Sequence, residues 1–224
     1  ILELRRNNYS TSLNTTLVVA GITAGLIGSK IYYLFEAWDQ FIRSPFRTFF
    51  TLSGSGWYGG FLLGGAAVVL TLRIKKQPVL KSLDIMIPAV PAGQAFGRLG
   101  CFLAGCCHGM PSNVPWAVSF PNGLYPADVT VHPTQLYEIF LYSGISLLLW
   151  KLRKKDMGNG FNFGLYLVLA GLGRFIVEFY RLNSKILFGL TAPQIIALLG
   201  ILLGGYMLAR SRTTASGLPN VASD

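Results

Sequence analysis

The stretch LVVAGITAGLIGSKIYYLFEAW, residues 17–38, decides the class of protein. Lys30 and Glu36 are its charged residues, and almost all the rest are apolar, aromatic or small. About 20 such residues in a helix rise far enough to cross the hydrocarbon core of a bilayer. Gly21, Gly25 and Gly28 recur at a four-then-three spacing. Small residues at that spacing fall on one helix face and let a second backbone come close in lipid.

The whole chain repeats this pattern. Of its 224 residues 52% are hydrophobic and 12% charged, against roughly 25% charged in a soluble domain. Further spans are expected at about Trp57–Leu72, Ile85–Cys107, Thr134–Leu152, Phe163–Tyr180 and Pro193–Ala209. Pro88 and Pro91 should kink the third span, since neighbouring helices can take up the carbonyls a proline frees. Asp39–Ser55 is amphipathic and reads as an interfacial helix or loop. His108–Pro133 is polar, lacks Lys and Arg, and reads as a small ordered cap. The expected fold is an all-α, multi-pass membrane bundle of about six helices, seven if another precedes this stretch. Residues 1–209 form a single transmembrane domain, and 210–224 a disordered tail rich in Ser, Ala and Gly. No signal peptide is visible.

The net charge of +10 does not indicate nucleic acid, because the basic residues sit in short runs between apolar segments. Arg5–Arg6, Arg73–Lys81, Lys151–Lys155 and Arg210–Arg212 all fall on one side of a six-span arrangement. The other side carries Arg43, Arg47, Arg181 and Lys185. The richer side is cytoplasmic by the positive-inside rule, which puts both ends inside and 108–133 outside.

Lys30, Asp84, Arg98, Glu138, Arg174 and Glu178 lie in or at the ends of apolar spans. Each costs a few kcal/mol at the bilayer centre unless it faces a protein interior or a wet cavity. Arg174 and Glu178 are four apart and share a helix face, with Arg181 a turn further on. They could be a structural ion pair, and Lys30 could snorkel to a headgroup. Taken together, several arginines and a carboxylate suggest an anionic ligand such as a phospholipid headgroup, because the guanidinium fork pairs with phosphate through two hydrogen bonds. The glycine-rich GWYGGFLLGG (56–65), GRLGCFLAG (97–105) and GLGRF (171–175) would admit a close backbone or a lipid tail. Helix packing alone explains them equally well.

Cys101, Cys106 and Cys107 are too close in sequence for a disulfide framework. Cys106-Cys107-His108 lacks the paired spacing of a zinc site and the C-x-x-C-H of covalent haem, so neither metal nor cofactor is expected. His132-Pro133 reads as a turn and Thr134 as a helix cap.

Six segments resemble, in order, the bacterial prolipoprotein diacylglyceryl transferase family: GLIGSKIYYLFEAW (25–38), GWYGGFLLGG (56–65), GRLGCFLAGCCHG (97–109), HPTQLYE (132–138), GLGRFIVEFYR (171–181) and LTAPQ (190–194). HPTQLYE and GRFIVEFYR are the most specific. The resemblance implies a seven-helix membrane enzyme with a small periplasmic head in the bacterial inner membrane. It implies transfer of the diacylglyceryl group of phosphatidylglycerol, or another anionic phospholipid, to the lipobox cysteine thiol of a prolipoprotein, releasing glycerol phosphate. The chain departs from the family where Tyr58 replaces a histidine, Cys101 an asparagine, Cys106 a glutamate and Lys30 an arginine. It keeps Tyr33, Arg98, Gly109, Arg174 and Glu178.

On this resemblance Arg98 and Arg174 clamp the phosphate, Glu178 orients Arg174, and Tyr58 or His108 helps to deprotonate the acceptor thiol. Lys30, Tyr33, Gly59, Gly60, Gly109, His132, Gln135 and Glu138 complete the substrate-binding set, His132 and Glu138 by supporting the cap. The altered positions leave a second reading: a non-catalytic, lipid-binding or structural subunit of a membrane complex.

Overall fold

The computed structural model describes residues 4, 9–50, 57–124, 126–155 and 157–216, excluding the side chains at 36, 57, 58 and 212–216. The chain forms two compact units, Ile1–Ser82 and Leu83–Asp224.

In the first unit, helix α1 (Thr11–Glu36) begins six residues before the expected span because the Ser10 hydroxyl accepts from the Leu13 N–H at 3.2 Å. This is a serine N-cap. Two short helices follow, α2 (Trp38–Arg43) and α3 (Pro45–Phe50). They break the amphipathic segment at Pro45 and expose Phe46, Phe49 and Phe50. Residues 51–56 of that segment lie outside the described residues. Helix α4 (Trp57–Ile74) packs along α1.

Glycines set that contact. A Cβ at Gly28 would collide with the Gly59 carbonyl, and one at Gly59 with the Gly28 carbonyl; Gly64 meets Gly21 in the same way at 2.9 Å. Gly59→Ile should therefore force the pair apart, costing roughly 1–3 kcal/mol as overpacking does. Gly65, where an added Cβ has open space around it, is the control. A lower thermal unfolding temperature for Gly59→Ile and an unchanged one for Gly65→Ala is the expected result in detergent.

The expected third span is two helices, α5 (Val79–Met86) and α6 (Ala89–Leu103). The break falls at Ile87–Pro88, because Pro88 and Pro91 lack the N–H that a continuous helix needs. The Ser146 hydroxyl donates to the Pro88 carbonyl at 2.8 Å, a neighbouring helix serving the broken one. Residues 104–107 form a turn, with Gly105 at φ 60°.

In the second unit α6 packs on α7 (Thr134–Leu152), α7 on α8 (Phe161–Glu178) and α8 on α9 (Ala192–Ser216). Ile87, Ala95, Tyr142, Ile145, Leu149 and Tyr166 form the apolar core. Asp84 fastens the start of α8, accepting the Gly160 N–H at 2.5 Å and the Phe163 N–H at 2.8 Å. A carboxylate there also meets the positive end of the helix dipole. Helix α9 continues through Ser216, so residues 210–216 of the expected tail are helical.

The polar segment contains an antiparallel hairpin, β1 (Val118–Phe120) with β2 (Ala127–Val131). A second small pair, β3 (Lys185–Leu187) with β4 (Leu190–Thr191), precedes α9, where the sequence pattern predicts no strand. Thr11–Phe35, Phe161–Glu178 and Ala192–Ser211 are long and apolar enough to cross a membrane; Gly59–Ile74 is a shorter apolar helix. The protein is a mostly helical membrane protein.

Candidate functional site

The site grows from the buried stripe of α7. Thr134, Gln135, Glu138, Tyr142, Ile145 and Leu149 recur at helical spacing and are all buried. The lower half of that stripe joins the apolar core. The upper half is polar, and its centre is Glu138, with a side-chain exposure of 0%.

Three arginines converge on this carboxylate. Arg98 from α6 places Nε 2.9 Å from Glu138 Oε2. Arg174 from α8 places Nη1 2.9 Å from Glu138 Oε1 and Nη2 2.9 Å from Glu178 Oε2. Arg181, just past α8, lies 3.7 Å from Glu138 Oε2 and 4.0 Å from Glu178 Oε2. Arg174 thus spans both carboxylates with its two terminal nitrogens. Three guanidinium groups against two carboxylates leave a net charge of +1. Burying ions is costly, and a cluster of this kind persists only when its members pair closely.

Glu178 is held from the far side. Thr191 Oγ1 donates to its Oε1 at 2.9 Å and Asn183 Nδ2 at 2.5 Å. Thr191 is locked in turn, its N–H donating to Gln194 Oε1 at 3.0 Å. The β3–β4 pair and the start of α9 therefore position the end of α8.

The turn after α6 closes over the same region. Its carbonyls accept from Gln135 Nε2 (Cys106 O, 2.7 Å), Thr134 Oγ1 (Cys107 O, 3.0 Å) and Arg181 Nη1 (Cys107 O, 3.1 Å). Gly109 leaves no room for a side chain: a Cβ would strike the Tyr180 carbonyl and press on Thr134 and His132. His132 Nδ1 and the Tyr137 hydroxyl share a hydrogen bond at 3.0 Å, while Trp116 Nε1 donates to that oxygen at 2.7 Å. The His132 ring also packs on Tyr180.

Arg98, Gly109, His132, Gln135, Glu138, Arg174 and Glu178 are therefore neighbours in the second unit. His108 sits in the hairpin region with its ring stacked on Phe120 and Nδ1 3.2 Å from the Gly109 carbonyl. In the first unit Lys30 lies over the Tyr33 ring at 5.2 Å. Gly59 and Gly60 face Gly28 and Gly25 in the α1–α4 contact. The Tyr58 side chain lies outside the described residues.

Arg181, Thr191 and Asn183 join the site without belonging to the sequence-derived set. Arg181 carries a signal, being seven residues after Arg174 on the same helical face. Thr191 and Asn183 carry none, since their role depends on the β3–β4 pair.

Such a site defines a class: a helical membrane protein that gathers arginines and carboxylates into one buried cluster between its helices. The sequence model of the family described as prolipoprotein diacylglyceryl transferase matches residues 2–210. The chain belongs to this family. It is 36% identical to the phosphatidylglycerol–prolipoprotein diacylglyceryl transferase of Clostridium tetani, over 91% of this chain and 82% of that protein. It is 36% identical to the Idiomarina loihiensis protein of that name, over 92% and 79%. With the Clostridioides difficile protein of that name it shares 34% identity, over 91% and 80%.

Proposed function

We propose that the chain transfers the diacylglyceryl group of phosphatidylglycerol to the cysteine thiol of a prolipoprotein lipobox. The observation that carries this reading is the Arg98–Glu138–Arg174–Glu178–Arg181 cluster, in a chain whose relatives are named for that reaction.

The net charge of +1 matches a phosphodiester, which carries one negative charge. In the reaction the acceptor sulfur forms a bond to the glyceryl carbon. The carbon–oxygen bond to phosphate breaks, and the leaving glycerol phosphate keeps the electron pair. Negative charge on the phosphate grows along that path, so Arg98 and Arg174 bind the transition state more tightly than the substrate. Glu138 and Glu178 are positioning residues: they fix the arginine forks in advance. Gln135 Oε1 is buried and accepts no hydrogen bond among the described residues, which suits a headgroup hydroxyl as donor. Gly109 and His132 hold the turn and the hairpin against Tyr180. Tyr58 or His108 assists deprotonation of the thiol, and Lys30 and Tyr33 bind the substrate. Family membership and the named relatives favour this enzyme over the lipid-holding subunit.

The test is labelled-lipid transfer from phosphatidylglycerol to a lipobox peptide by the purified full chain. Transfer is expected. A well-folded protein that retains phosphatidylglycerol and transfers nothing would overturn the enzymatic reading in favour of the subunit.

The proposed topology is a single transmembrane domain of six spans in the bacterial inner membrane. Both ends are cytoplasmic and the hairpin-bearing 108–133 segment is periplasmic. In a background with the native cysteines replaced by serine, an impermeant thiol reagent added from outside should label a cysteine placed at Asn122. It should spare one placed at Lys154, and the opposite pattern would refute the orientation.

A further inference from the structure

Three thiols crowd one corner of the second unit. The Sγ atoms of Cys101, Cys106 and Cys107 all lie within 4.8 Å of one another. Cys101 sits on the last turn of α6, one turn after Arg98. The chain then reverses through Gly105 at φ 60° and Cys107 at φ 61°, which brings the later two thiols back onto the first. Sequence spacing hides this arrangement, because C-x-x-x-x-C-C matches no paired zinc pattern. The turn is fixed by the bonds from Gln135, Thr134 and Arg181 to its carbonyls.

We propose that Cys101, Cys106 and Cys107 bind Zn²⁺ as thiolates and that the acceptor thiol takes the fourth coordination position. Thiolates select soft or borderline cations, zinc among them. Tetrahedral zinc with Zn–S bonds near 2.3 Å places sulfurs about 3.8 Å apart, which small side-chain rotations reach from the observed cluster. Three protein ligands plus one exchangeable position is the pattern of catalytic zinc sites, whereas structural sites are closed by four. Three thiolates and one Zn²⁺ carry a net charge of −1. Arg98, one turn before Cys101, and Arg181, bonded to the Cys107 carbonyl, are cations beside it whose surplus charge the phosphate site shares.

The fourth-ligand part rests on the transfer reading. The acceptor thiol gives its proton to solvent as it binds zinc, so that zinc takes the activating role otherwise assigned to Tyr58 or His108. The metal-held sulfur then forms the bond to the glyceryl carbon, and the phosphate leaves with the electron pair toward Arg98 and Arg174. An unassisted thiol with a pKa near 8.5 is only about 3% ionised at pH 7, so full ionisation gains about thirtyfold. Lower nucleophilicity of the stabilised thiolate takes part of that back, leaving about tenfold.

The experiment uses the purified full chain in detergent, prepared without chelator. Elemental analysis should find one zinc per chain, and replacement by Co²⁺ should give a thiolate-to-cobalt charge-transfer absorption. Cys101→Ser, Cys106→Ser and Cys107→Ser should each weaken metal binding about tenfold or more. Zinc should protect the wild-type thiols from maleimide, a readout that needs no variant to fold. A cysteine-containing lipobox peptide should shift the cobalt bands and its serine counterpart should not. Metal-stripped enzyme should transfer about tenfold more slowly at pH 7 and recover with zinc. Thiols that bind no cobalt and label equally with and without zinc, or that prove to be joined as a disulfide, overturn the site. A protein that binds cobalt but transfers no lipid keeps the site and overturns the transfer reading along with the fourth ligand. One that transfers equally well when stripped overturns zinc activation and leaves the transfer reading standing.

Discussion

Arg174→Ala is expected to reduce lipid transfer roughly a thousandfold or more, the scale seen when a guanidinium that meets growing phosphate charge is removed. Arg174 touches both buried carboxylates, 2.9 Å from each. Its loss removes the positive charge that exceeds the carboxylates and the closest bridge between them. Arg174→Lys keeps the charge but not the fork, so it should recover only part of the rate. The measurement is initial transfer rate against phosphatidylglycerol concentration. A fall confined to kcat places the arginine's effect in the transition state, and a rise confined to KM places it in substrate binding. Activity within a fewfold of wild type for the alanine variant would remove Arg174 from the site.

Glu138→Gln is expected to lower both stability and activity, by a different route. Three arginines lean on this one carboxylate. Without its charge the cluster changes from +1 to +2, with only Glu178 left to pair. Breaking a buried ion pair by removing one partner costs roughly 3–5 kcal/mol. Thermal unfolding of the detergent-solubilised protein should show a clear drop, with transfer lost even at temperatures where the variant stays folded. Glu138→Asp keeps the charge with a shorter reach and should fall between. Unaltered unfolding in Glu138→Gln would mean that the arginines find other partners.

Much of this arrangement is legible in the amino-acid sequence. Apolar run length locates the helices, because bilayer thickness fixes how many residues a span needs. Gly21, Gly25 and Gly28 announce the α1–α4 contact through their spacing. The expense of charge in lipid singles out Arg98, Glu138, Arg174 and Glu178. Which of them is the hub is not legible: the family resemblance assigns Glu138 to supporting the cap and does not announce the three arginines from separate elements that converge on it. Pro88 predicts a kink in one helix, since sequence does not say whether neighbours will bridge a proline or let the helix part. The thiol cluster escapes because it depends on a left-handed backbone at Cys107, which a non-glycine residue does not advertise.

Helix α8 is fastened at both ends, by Asp84 at Gly160 and Phe163 and by Thr191 and Asn183 at Glu178. An α-helix turns about 100° per residue. One extra residue between Phe163 and Arg174 would swing the guanidinium around the helix and away from Glu138, and neither anchor has slack to absorb the turn. An insertion or deletion inside this helix is therefore expected to break the cluster. The distance from Asp84's anchor to Arg174 behaves as a fixed gauge for the whole site.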